Sequence, residues 1–348
     1  MVKISVAGCG YWGPNLIRNL YSLPECKVKL VCDVDKKRLT HVKTLYPGVE
    51  TTDQFDHLIS DTDIDAVVIA TPVRFHFEMA KRSLEAGKHT FLEKPMASSV
   101  AECKELIELA QSRNLTLMVG HTFIYSQPIR KIKQIVNAGD LGELQYISSR
   151  RLNLGLFQKD INVAWDLAPH DISIILYVMK EEPVSVNCQG KAHVAPDIED
   201  VTNITLNFPN GGFATIHSSW LDPNKVREMT FVGTKKMLVY DDIEPMEKIK
   251  IYDKYVNIPP HYDTFAEFQY SYHYGDMYAP HLQQEEPLRV ECQHFLDCIQ
   301  TKAKPDSSGI EGLKVVQILE AASQSLKNGG GRVEITGMTG TQSSQNES

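Results

Sequence analysis

The chain has 348 residues, 42% hydrophobic and 23% charged, which is a soluble globular composition and a length that favours two domains over one swollen core. A net charge of -8 and a pI near 5.9 argue against nucleic acid or an anionic membrane as the main partner. No apolar run is long enough to span a bilayer, and a strand begins too close to Met1 to leave room for a signal peptide.

Short β-branched apolar runs predict strands over residues 3–7, 28–32, 66–70, 89–92 and 116–119. Helical patterns over 15–21, 75–86 and 100–113 lie between them, with Ser98 or Ser99 as N-cap of the last. Continuous apolar strands alternating with helices indicate a parallel sheet covered on both faces, an α/β domain over residues 1–122.

The pattern changes after Phe123. A helix over 128–138 leads to a strand over 143–153 and a helix over 166–179. Longer strands follow over 184–195, 200–208, 212–220, 227–232 and 236–240, joined by turn chemistry such as Pro209-Asn210-Gly211-Gly212. A second α+β domain over 123–336, with a large, mostly antiparallel sheet, is the natural reading. Helices over 289–300 and 310–326 close it and are candidates to dock back on the first domain. Residues 337–348 form a polar tail expected to be disordered. The seven cysteines are dispersed without a Cys-x-x-Cys pair and read as reduced thiols of a cytoplasmic protein.

Three groups of residues carry chemistry. Gly8-Cys9-Gly10-Tyr11-Trp12-Gly13 follows the first strand and opens a helix. Gly8 permits the tight turn, Gly10 lets the backbone approach a pyrophosphate, and Gly13 allows close helix–strand packing. Pro14 suits the first helical turn, leaving free N–H groups and the helix dipole for the phosphates. Asp33, ending the second strand, is placed to accept from ribose hydroxyls and would repel a 2′-phosphate, so NAD is favoured over NADP. Arg38 either stacks on adenine or reaches a phosphate, or it is a solvated helix charge. Thr71 and Pro72 end the third strand on the same sheet edge, and His76 is either near the nicotinamide or a helix-start residue.

Glu93-Lys94-Pro95 ends the strand over 89–92, where α/β sheets bind ligands. Lys94 there can hold a proton or a developing alkoxide, or it can be a structural amine paired with Glu93. Trp165-Asp166-Leu167-Ala168-Pro169-His170-Asp171 is the third group. Asp166 and His170 share a helix face, so the carboxylate can orient the imidazole as proton acceptor; alternatively Asp166 caps the helix. No third ligand at matching spacing supports a metal. For the substrate, Tyr125, Arg151, Asn153, Trp165 and His170 lie on segments expected at the cleft, with Arg151 or Arg227 able to meet a diphosphate. His217 and Trp220 point to opposite faces, so only one can line it.

Together these motifs resemble the glucose–fructose oxidoreductase/inositol dehydrogenase (Gfo/Idh/MocA) family from Val2 to about Gly331. The resemblance implies a Rossmann domain binding NAD, reaction-site roles for Lys94, Asp166 and His170, and cofactor contacts that include Tyr11, Trp12 and Glu93. It also implies an open-faced C-terminal sheet used for homo-oligomerisation, as a dimer or tetramer. Gly10-Tyr11-Trp12-Gly13-Pro14-Asn15, Gly120-His121-Thr122-Phe123 and Trp165-Asp166-Leu167-Ala168-Pro169-His170-Asp171 are similar to the branch acting on nucleotide-linked sugars. That branch includes UDP-N-acetylglucosamine 3-dehydrogenases, which supply 3-keto sugars for amino sugars of polysaccharide or lipid A. The competing expectations are a 3-ketoreductase, an inositol or free-sugar dehydrogenase, and a non-catalytic NAD-binding regulator.

Overall fold

The structure, a computed structural model, describes residues 1–179, 181–257, 271–335 and 337. It divides into two compact units, Met1–Ser126 with Glu285–Glu320, and Gln127–Gln284 with Ala321–Ser348.

In the first unit the chain runs β1 (Val2–Ala7), α1 (Gly13–Tyr21), β2 (Cys26–Cys32), α2 (Lys36–Leu45), β3 (Glu50–Thr52), α3 (Asp56–Ser60), β4 (Ala66–Ile69), α4 (His76–Glu85), β5 (His89–Glu93), α5 (Val100–Ser112) and β6 (Leu117–Gly120). The strands form one parallel sheet in the order β3-β2-β1-β4-β5-β6. Strand order reverses between β1 and β4, the topological switch point at which such sheets bind ligands. Burial explains the apolar runs: every residue of β4 and β6 is buried. Each fully buried Val or Ile there contributes about 1.5–3 kcal/mol relative to exposure. Of the two candidate caps, Ser99 holds α5, its hydroxyl accepting from Glu102 N at 3.2 Å, while Glu102 accepts in return from Ser98 N at 2.9 Å. α2, α3 and the short β3 had no counterpart among the expected elements.

The second unit contains α6 (Gln127–Ala138), β7 (Leu144–Leu154), α7 (Val163–Val178), β8 (Ser185–Lys191), β9 (Val201–Asn207), β10 (Phe213–Ser219), β11 (Leu221–Gly233), β12 (Met237–Asp241), β13 (Ile249–Asn257) and β14 (Ser271–Tyr278). The chain closes with α8 (Pro287–Thr301), α9 (Gly309–Lys327) and β15 (Val333–Glu334). α8 belongs to the first unit, where Glu286 ahead of it binds Arg18 and accepts from Asn19 at 2.9 Å on α1. Among the described residues the second unit has nine strands in the order β14-β13-β12-β11-β7-β10-β9-β8-β15. All pairs are antiparallel except β7 with β10. β13 and β14 extend the sheet beyond the expected strands, and the β9–β10 hairpin closes through Gly211 at φ +86°. Of the expected tail, residues 338–348 lie outside the described residues.

Strand alternation makes this sheet two-faced. Ile147, Ser149 and Arg151 of β7 are buried on the side packed by α7, whereas Tyr146 and Arg150 are exposed on the other. Tyr146 stacks there on Phe213 of β10, with centroids 5.6 Å apart. Parity puts His217 on this open face, away from α7, while Trp220 is buried. No helix among the described residues is long and apolar enough to cross a membrane.

Candidate active site

The glycine-rich turn joins β1 to α1. Gly8 has φ +100°, and a Cβ there would come within 2.5 Å of the Ala70 carbonyl oxygen at the end of β4. A Cβ at Gly13 would be driven into the Gly8 carbonyl. At Gly10, by contrast, the nearest atom a Cβ would meet is Arg38 Nη1 at 3.8 Å. Two glycines are thus imposed by the protein's own packing, while the space beside the third is left for something else. The first turn of α1 carries a proline and no acidic side chain, so its positive end is not neutralised from within. These features fit a diphosphate approaching the backbone.

Asp33 is 6% exposed and ties the end of β2 to the turn: it accepts from Cys9 N at 2.6 Å and from Asp35 N at 2.8 Å. Arg38 Nη1 lies 3.6 Å from this carboxylate, and its Nε the same distance from Asp35. Arg38 therefore flanks both the acid and Gly10, more than a solvated helix charge requires. Thr71 lies against the turn, Pro72 is exposed, and Tyr11 is 88% exposed.

His76 is the first residue of α4, the helix-start alternative. It is 1% exposed, with Nδ1 2.9 Å from Pro95 O and Nε2 2.8 Å from Thr71 O. Burial pushes its pKa down despite those two carbonyls, so it acts as a neutral brace between the loops after β4 and β5.

Glu93 ends β5 beside Gly120 of β6, and the Lys94–Pro95 peptide is cis. Lys94 N donates to Glu93 Oε2 at 3.3 Å, while Glu93 Oε1 has no protein partner. Burial pushes the Glu93 carboxyl up to about 7, against the opposing pull of Lys94. His121, 2% exposed just after β6, is pushed down to about 3 by burial and then by the Lys94 charge. Glu291 on α8 is fully buried, accepts from Thr122 Oγ1 at 2.7 Å, and is raised by burial and then by Glu93. Sequence reading missed Glu291, since a single acid in a helical pattern carries no local signal. His121 lies within the Gly120-His121-Thr122-Phe123 motif, which by itself gives it no role. A cavity of about 590 Å³ lined by His89, Thr116, Lys302 and Gly309 lies at the opposite ends of β5 and β6, away from these motifs.

In the second unit α7 starts at Val163, three residues earlier than expected, because Asn162 is its N-cap and accepts from Trp165 N at 3.1 Å. Asp166 is thus not the cap. It lies one turn inside, four residues before His170, and accepts from Trp220 Nε1 at 3.1 Å. Pro169 within the helix has no N–H for the Trp165 carbonyl, loosening the ladder at the turn that carries Asp166 and His170.

Other expected substrate contacts are occupied internally. Tyr125 is fully buried in the first unit, with its hydroxyl 2.8 Å from Ser307 Oγ. Arg151, 6% exposed, makes a bidentate pair with Asp171 at 2.8 and 2.9 Å. Both side chains are thus held by partners distant in the chain. Trp165 donates to Ser323 Oγ at 2.8 Å, Arg227 pairs with Asp242 at 3.3 Å, and Asn153 is half-buried on β7. No group of three or more His, Cys, Asp or Glu among the described residues could hold a metal ion.

Comparison with known proteins agrees with this geometry. Residues 2–121 match the oxidoreductase family with the NAD-binding Rossmann fold, and residues 129–239 match the GFO/IDH/MocA C-terminal domain. An uncharacterized oxidoreductase, YrbE, of Bacillus subtilis (strain 168) is 29% identical over 94% of this chain and 95% of its own. The scyllo-inositol 2-dehydrogenase (NAD(+)) of the same organism is 24% identical over the same shares. The structure of UDP-N-acetylglucosamine 3-dehydrogenase GnnA from Acidithiobacillus ferrooxidans shares the fold with a TM-score of 0.76 at 24% identity, covering 94% of this chain and 98% of that one. The chain therefore belongs to the GFO/IDH/MocA oxidoreductase family, and its first unit is an NAD-binding Rossmann domain.

Proposed function

We propose that this oxidoreductase is an NAD-dependent sugar dehydrogenase acting at C3 of a nucleotide-linked sugar such as UDP-N-acetylglucosamine, in the cytoplasm, for amino-sugar, polysaccharide or lipid A biosynthesis. The observation that carries the reading is the single sheet edge bearing the Gly8–Gly13 turn, Asp33 and Lys94. The nucleotide-sugar substrate rests on the likeness of the Gly10–Asn15, Gly120–Phe123 and Trp165–Asp171 segments to that branch.

The β1–α1 turn would hold the NAD diphosphate, Asp33 the adenosine ribose and Arg38 the adenine side. Bound NAD supplies the hydride acceptor. The Lys94 ammonium stabilises the sugar alkoxide, while the His170 imidazole, held in direction by Asp166, takes the hydroxyl proton. Self-association is assigned to the open face of the nine-stranded sheet, where Tyr146 and Phe213 lie exposed.

The experiment is a panel of nucleotide sugars, inositols and free sugars with NAD, followed by absorbance, with the oxidised carbon then identified. Reduction of NAD by UDP-N-acetylglucosamine supports the proposal. Reduction by inositols alone moves it to inositol oxidation, the second reading, which the full-length likeness to scyllo-inositol 2-dehydrogenase favours. Tight NAD binding without reduction by any sugar overturns both.

A further inference from the structure

We propose that Glu291 is a neutral carboxylic acid keeping its proton close to Glu93, and that Glu93 is thereby a group whose ionisation raises the proton affinity of Lys94. The first half stands on the geometry of the first unit alone. Its bearing on turnover rests on the role assigned to Lys94.

Two carboxyl groups from distant parts of the chain are buried here, Glu93 at 8% exposure and Glu291 at 0%. Each leaves its Oε1 without a protein partner. Among the described residues, the groups that act on Glu291 include Glu93, the Thr122 hydroxyl, Tyr125 and Cys292, none of them a cation. Glu93 faces Lys94 and the Trp12 indole, and Gly120 packs so closely on its carboxylate that a Cβ there would lie 3.0 Å from both oxygens. His121 and His76 face Lys94 as well, and burial holds both neutral. Ionising both acids would bury two negative charges that act on one another, which burial strongly disfavours. The acid without a cation keeps the proton, and the acid beside Lys94 titrates. The direction agrees, since burial and the Glu93 charge both raise Glu291, whereas Lys94 pulls Glu93 back to about 7. Lys94 therefore holds its own proton more tightly when Glu93 ionises. Glu291 is a positioning residue in this scheme, acting through Glu93.

Infrared spectra of the whole protein without substrate, recorded on both sides of pH 7 and compared between wild type and variant, test the pair. The wild type should keep the carbonyl stretch of a protonated carboxylic acid well above pH 7 and gain a second as pH falls through about 7. Glu291→Gln, which mimics the neutral acid and keeps an acceptor for Thr122, should delete the first band only; Glu93→Gln should delete the second only. Absence of a protonated acid in the wild type well above pH 7 overturns the proposal whether or not the variants fold, as does a protonated-acid band that survives Glu291→Gln at that alkaline pH. In an active enzyme, Glu93→Gln should remove an inflection near pH 7 from kcat/KM, and Glu291→Gln should leave it. Correct bands with no turnover on any sugar would defeat the dehydrogenase assignment and leave the carboxyl pair intact.

Discussion

Trp220 donates its indole N–H to Asp166 Oδ2 across 3.1 Å, so a buried residue between β10 and β11 fixes a carboxylate on α7. Gly155 lies against the indole, and Phe157 packs on it with centroids 5.4 Å apart. Trp220→Phe removes a hydrogen bond to a charged acceptor, worth about 1.5–3 kcal/mol. Its urea midpoint should drop at unchanged m value, and kcat should fall as well. Full turnover in a folded Trp220→Phe protein would show that Asp166 needs no such hold.

Lys94→Ala should abolish turnover and leave NAD affinity, measured by calorimetry, within a few-fold of the wild type. Retained turnover would remove Lys94 from the reaction.

The three glycines of the β1–α1 turn should separate on substitution. Gly8→Ala forces a side chain into positive φ, costing about 1–2 kcal/mol before its collision with Ala70 is counted. Its thermal midpoint should therefore fall. Gly10→Ala meets no protein atom closer than 3.8 Å and should fold normally, yet bind NAD at least tenfold more weakly. If Gly10→Ala binds NAD normally, the diphosphate does not cross that point.

Arg151→Ala should behave as a structural lesion. It leaves Asp171 as a buried charge without its bidentate partner, a loss of roughly 3–5 kcal/mol. Denaturant unfolding measures it. A stable variant with only a raised KM would restore Arg151 as a substrate contact.

Glu93 and His121 give stability opposite pH dependences. Glu93 titrates in the folded protein at about 7, above the ordinary 4.5, so the folded state binds that proton more tightly than the unfolded chain. Its contribution is full below 4.5 and disappears as pH rises through about 7, on the order of 3 kcal/mol. His121 is depressed from 6.5 to about 3, so its contribution is present above 6.5 and disappears as pH falls toward 3. Glu93→Gln should flatten the loss on the alkaline side and His121→Gln the loss on the acid side, both read from urea midpoints over pH. Parallel curves for the variants and the wild type would contradict these assignments.

What the sequence by itself determined is local. Short continuous apolar runs marked the first strands and helical spacing the helices, Gly8 and Gly13 announced a turn that only glycine permits, and Glu93-Lys94-Pro95 announced polar chemistry at a strand end. Such features are legible because their causes, backbone sterics and burial of one face, act over a few residues. The nine-stranded sheet was legible in type but not in extent: β13 and β14 carry no stronger pattern than a surface segment. Only the tertiary structure decided which polar side chains were already spoken for. Tyr125 closes on Ser307, Arg151 on Asp171, His76 on the Thr71 and Pro95 carbonyls, and Asp166 on Trp220. Thr122 meets Glu291 from 169 positions away. A buried polar group must find a partner wherever the fold brings one, and that partner's position in the chain is set by packing rather than by spacing.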